Sequence, residues 1–77
     1  MNRDILKRYL AQAEEHVRLG WSHIERQRRI IQELESKGLD SSVAREILTQ
    51  FAEIQTLHIA DRDRLVGEMS AASGDSD

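Results

Sequence analysis

The stretch Ser36-Lys37-Gly38-Leu39-Asp40-Ser41-Ser42 decides how this chain folds. Gly38 suits the left-handed residue that follows a helix end. Lys37 lies in the last turn before it, where a cation meets the negative end of the helix dipole. Asp40 or Ser41 can accept a hydrogen bond from the free amides that open a second helix. Leu39, just before that cap, is placed to pack back as a hydrophobic staple. The stretch therefore reads as a tight connection between two helices. No proline interrupts the chain elsewhere.

Upstream, a helix is expected over about residues 3–36. Its line is Leu6, Leu10, Ala13, Val17, Gly20, Ile24, Gln27, Ile31 and Leu34. The steps alternate four and three, and only Gly20 and Gln27 are not apolar, which is a heptad seam of the coiled-coil type. Tyr9, His16, His23 and Ile30 repeat every seven residues beside it and widen the face that wants cover. Downstream, a helix over about 41–69 carries Ala44, Ile47, Leu48, Phe51, Ile54, His58, Leu65 and Met69. The fold class is all-α, an antiparallel two-helix hairpin over residues 1–69. Residues 70–77 (SAASGDSD) have no periodicity and are expected to form a flexible acidic tail.

Two rods that touch along one strip leave much of each apolar face wet. The expected final state is therefore a dimer of hairpins, an antiparallel four-helix bundle. Another protein can supply the same cover. A break at Gly20, folding one chain into three helices, is the alternative, but the heptad frame passes Gly20 without a shift. With the turn pivoting near residue 39, Gly20 is expected to face His58, Gln27 to face Phe51, Ala13 to face Leu65 and Leu34 to face Ala44.

Composition narrows the function. The chain has 77 residues and no cysteine, which excludes a disulfide scaffold and a thiolate zinc site. No apolar run nears the roughly 20 residues that span a bilayer, and the first residues show no signal-peptide core, so a soluble cytoplasmic protein with no membrane partner is expected. Eleven basic against fourteen acidic side chains give a net charge of −3, which argues against generic nucleic-acid binding. Segment 2–37 is net positive and segment 40–69 net negative, as suits two segments folded together.

Catalytic patterns are absent: no phosphate loop, no nucleophile elbow and no metalloprotease helix motif. The leading expectation is a non-enzymatic, self-associating module acting in protein–protein interaction, in a regulatory or structural role, without a cofactor. Its interface is drawn from Leu6, Leu10, Val17, Gly20, Trp21, Ile24, Ile31, Phe51, Ile54, His58 and Leu65. Trp21 is either a partner anchor or an aromatic covering the core edge. Two alternatives stand beside this reading. One is an RNA-binding dimeric bundle using Arg26, Arg28 and Arg29, with Arg3, Lys7 and Arg8. Against it, Asp4–Arg8, Glu14–Arg18, Glu25–Arg29, Glu33–Lys37 and Arg64–Glu68 are spaced as i,i+4 ion pairs. The other is a metal or proton site at His16, His23 and His58. His16 and His23 lie roughly 10 Å apart along one helix, so only one of them can share an ion with His58. A structural polar layer around His58 competes with that reading.

The stretch Ala11–Leu65, with AEEH, HIERQR, the Gly-Leu-Asp turn and the ending LHIADRDRL, resembles short uncharacterised helical-hairpin proteins from alphaproteobacterial genomes. That resemblance implies a hairpin and no assigned activity. By length and topology alone the chain is also similar to the dimeric RNA-binding hairpins of the plasmid repressor-of-primer family, a likeness of fold only.

Overall fold

In the computed structural model, which describes residues 2–75, the chain is two long helices, α1 (Arg3–Ser36) and α2 (Ser42–Asp75), folded back on each other. The hairpin measures 62 × 14 × 13 Å between its outermost Cα positions. α1 runs unbroken through Gly20, so the three-helix alternative is ruled out. Its first turn is capped by Asn2, whose side-chain oxygen accepts from the Asp4 amide at 2.7 Å.

The turn is closed at Gly38 and capped at Asp40 as the sequence suggests, but Leu39, expected to pack back as a staple, is exposed and Lys37 is the C-cap residue. Gly38 has φ 71°, and its N–H donates to the Glu35 carbonyl at 3.1 Å. The Leu39 N–H reaches the Leu34 carbonyl at 2.9 Å. These two bonds form a Schellman closure, which satisfies carbonyls that the helix end leaves free. Asp40 then opens α2 by accepting from the Ser42 amide at 2.9 Å. That bond holds the Asp40 carboxyl below its ordinary pKa. Glu35 ties the two helix ends together by accepting from Ser41 Oγ at 3.0 Å and from the Arg45 guanidinium.

Along α1, the nine heptad positions are the only residues that are not exposed. Leu6, Ala13, Val17, Ile24, Gln27 and Ile31 are buried, and Leu10, Gly20 and Leu34 are half-buried. α2 answers with a line in the same steps of four and three: Ala44, Leu48, Phe51, Gln55, His58, Arg62, Leu65, Met69 and Ala72. All nine are buried or half-buried. Two expectations change here. Ile54 is exposed, and its neighbour Gln55, one step around the helix, is buried in its place. α2 also continues to Asp75, past the expected end near Met69. Ala72 packs with Met69 and Leu10 against Leu6, Ala13 and Leu65, so the extra turns cover the start of α1.

The expected register is displaced by about one helical turn. Gly20 faces Gln55, not His58. Phe51 lies against His23, with ring centres 5.8 Å apart, and the Gln27 amide reaches the Ala44 carbonyl at 2.9 Å. Ala13 and Leu65 do share the buried cluster. The reason is the pivot: the Schellman closure turns the chain at Lys37–Gly38, slightly earlier than residue 39, and this slides α2 along α1.

Two buried glutamines lock that register. Gln27 of α1 donates to a carbonyl of α2, and Gln55 of α2 donates to the Val17 carbonyl of α1 at 2.8 Å. Each amide uses a spare lone pair of a carbonyl on the opposite helix. A slip of one turn would set the Gln55 amide against a residue with a side chain in place of Gly20, which the buried seam has no room for.

Candidate interaction surface and histidine groove

A two-helix hairpin has two open flanks, one on each side of its seam. On α1 the heptad geometry puts Tyr9, His16, His23 and Ile30 on one flank, with Ile5 and Leu19 further around. On α2 the same flank receives Ile54, with Val43 and Leu57 further around. Ile5, Tyr9, Leu19, Ile30, Val43, Ile54 and Leu57 are all exposed large apolar residues. They extend from the open end of the hairpin to the turn, about 40 Å at 1.5 Å per residue. Among the described residues, the opposite flank carries only Trp21 and Val66 of this kind, and the remaining exposed large apolar residue, Leu39, is in the turn.

Each flank has a groove at mid-length. The apolar flank holds one of about 280 Å³, walled by His16, His23, His58, Leu19, Phe51 and Ile54. Its floor is the Gly20–Gln55 contact. The other flank holds one of about 540 Å³, with Trp21, Ile24, Leu48 and Ile59 along it and Arg28 and Glu53 among its polar residues.

The expected interface residues divide among these places. Leu6, Val17, Ile24, Ile31 and Leu65 are buried within the hairpin. Leu10, Gly20, Phe51 and His58 are half-buried along its seam. Ile54 is exposed on the apolar flank, and Trp21, 52% exposed, is on the other. Gly20 has a structural task inside the chain. A Cβ placed on it would overlap Gln55 Oε1 and fall 2.6 Å from Gln55 Cδ. Gln55 is only 2% exposed, and its Oε1 has no hydrogen-bond partner. Hydropathy favoured Ile54 over Gln55. Continuing the steps of four and three from Ala44 without regard to polarity reaches Gln55.

The three histidines do not form one cluster. The His16 and His58 rings lie 5.3 Å apart, centre to centre and tilted by 41°. His23 instead meets the Phe51 ring edge-on. Among the described residues, no three His, Asp or Glu side chains converge as a metal cage.

Charged groups lie outside the seam except Arg62, which takes a half-buried position in its α2 line. Glu33–Lys37 and Arg64–Glu68 pair as their spacing predicts, at 3.0 and 2.9 Å. Arg18 pairs with Glu15 instead of Glu14, and that bond holds the Glu15 carboxyl below its ordinary pKa. Asp4–Arg8 and Glu25–Arg29 are not among the ion pairs of the described residues. Arg64 also pairs with Asp61 at 2.9 Å, which raises the guanidinium pKa further. Arg26 and Arg28 point to opposite sides of α1, so the basic residues of that stretch do not form one patch.

Among the described residues, no helix is long and apolar enough to cross a membrane. No family model, no curated protein and no solved structure matches the chain.

Proposed function

We propose that this chain is a non-enzymatic helical-hairpin module that pairs with a second copy of itself through the apolar flank. The product is a four-helix bundle that serves protein–protein interaction in the cytoplasm. The observation that carries this reading is the one-sided distribution of exposed apolar residues. Seven of them share one flank over the length of the hairpin. Scattered single residues need no explanation, but a row of them gathered on one flank marks a contact surface.

Area supports a second copy as the occupant. The chain exposes 5743 Å². A compact monomer of its 8.9 kDa mass exposes roughly 4,800 Å². The excess, roughly 900 Å², is close to the area each partner contributes to a standard stable interface, about 800 Å². A strip as long as the hairpin also matches itself under a two-fold axis, where the same patch serves both partners. Arg64 brings little unpaired charge, because Asp61 and Glu68 both hold it.

Replacing Leu19 and Leu57 together with lysine tests the reading. Both side chains are exposed, so the hairpin keeps its helical circular dichroism. Light scattering is expected to give twice the chain mass for the parent protein and the single-chain mass for the variant. A variant with unchanged mass would refute the assignment of this flank.

A further inference from the structure

The His16 and His58 rings bring one metal-ligating side chain from each helix together at the edge of the seam. A tetrahedral Zn²⁺ held at about 2.1 Å by a ring nitrogen stands about 3.2 Å from the ring centre, so two ligating rings at the tetrahedral angle have centres about 5.3 Å apart. The His16 and His58 rings are 5.3 Å apart. Their centre-to-centre separation is the one that a shared tetrahedral ion requires.

We propose that His16 and His58 form a two-imidazole clamp for a borderline divalent cation of the Zn²⁺ class, joining α1 to α2 at the middle of the hairpin. Several observations support it besides the spacing. Both rings wall the groove on the apolar flank, so an ion has a path in while that flank is uncovered. Neither ring makes a hydrogen bond among the described residues, which leaves ring nitrogens free to ligate. The neighbouring carboxylates are occupied: Glu15 is held by Arg18 and Asp61 by Arg64. The donor set is thus two imidazole nitrogens, which suits Zn²⁺, Cu²⁺ or Ni²⁺ and not Mg²⁺ or Ca²⁺. His23 meets Phe51 and, among the described residues, no second imidazole, so it has no partner ligand in the chain.

Two imidazoles would leave two positions of a tetrahedral ion to be filled by other ligands. Water can fill them, or the matching pair of a second copy, and stoichiometry separates the two. The clamp does not depend on self-association, since both of its ligands belong to one chain.

The test is calorimetric titration of the full chain with ZnCl₂ at pH 7.5, with melting followed by circular dichroism. Saturable binding is expected, with a higher melting temperature that chelation reverses. One ion per chain supports a clamp completed by water, and one ion per two chains supports a clamp completed by the second copy. His16→Gln and His58→Gln should each weaken binding at least tenfold, and His23→Gln should leave it unchanged. His16 is exposed, so its variant keeps the fold and remains informative even if His58→Gln is unstable. Absence of saturable binding, or binding that survives His16→Gln, would overturn the proposal. Either result leaves the self-association reading intact.

Discussion

Gln55 of α2 fills the space that Gly20 of α1 leaves empty. Its Oε1 stands where a Cβ on residue 20 would be, and its amide nitrogen holds the Val17 carbonyl. Alanine at an exposed helical glycine normally stabilises by about 1 kcal/mol. At position 20 the sign reverses, because the added methyl displaces a buried amide. Gly20→Ala should lower stability by about 1–3 kcal/mol, the usual cost of overpacking. Combining it with Gln55→Ala should be less harmful than the two single effects added together. Urea denaturation at one fixed protein concentration measures both. Simple additivity would mean that the contact carries no coupling.

Gly67 supplies the contrasting case. It lies inside α2, exposed, with nothing within 4 Å of a built Cβ. Gly67→Ala should therefore raise stability by about 0.5–1 kcal/mol. A loss in the same urea experiment would show that something packs on that face.

Acid should loosen the turn before it melts the helices. Arg45 first, and then Ser41, hold the Glu35 carboxyl below its ordinary pKa of 4.5. A carboxylate depressed in the folded chain stabilises it above the unfolded value, and this contribution is lost as pH falls through the folded value. Stability should therefore decline below about pH 4.5, and Glu35→Gln should flatten part of that limb. Glu15 and Asp40, also depressed, supply the remainder. Thermal melting between pH 3 and 7 tests this. An unaltered slope in the variant would remove Glu35 from the account.

Trp21 reports which flank associates. It is on the side opposite Leu19 and Ile54. Its fluorescence should keep the long-wavelength maximum of a wet indole and should not move as the protein is concentrated. A blue shift on concentration would put the contact on the Trp21 flank instead.

Much of the fold was legible because it rests on local chemistry. The positive φ of Gly38 and the cap at Asp40 follow from residue types whose backbone preferences are strong. The α1 seam follows from a strict alternation of apolar steps. The seam of α2 was harder, because one of its central positions is the polar Gln55 beside the apolar Ile54. Hydropathy ranks that pair the wrong way, and only the reach of an amide to Val17 reverses it. The partners of the histidines were misplaced for a geometric reason. A small change in the pivot of a long hairpin shifts the facing pairs along its middle by about a turn, which moves His58 from Gly20 to His16. The C-terminal turns of α2 carry no periodic signal, and the start of α1 calls for cover there. The apolar flank was half visible in Tyr9, His16, His23 and Ile30. Its α2 half needs the folded register, since Val43 and Leu57 lie outside the seam pattern.

The account turns on whether the strip from Ile5 to Val43 is covered by a second copy. Sedimentation equilibrium of the unaltered chain, from about 1 to 200 μM at neutral pH with a chelator present, tests this most directly. Twice the chain mass at the higher concentrations, dissociating reversibly on dilution or persisting throughout, is the expected result. The mass of a single helical chain at every concentration would contradict it.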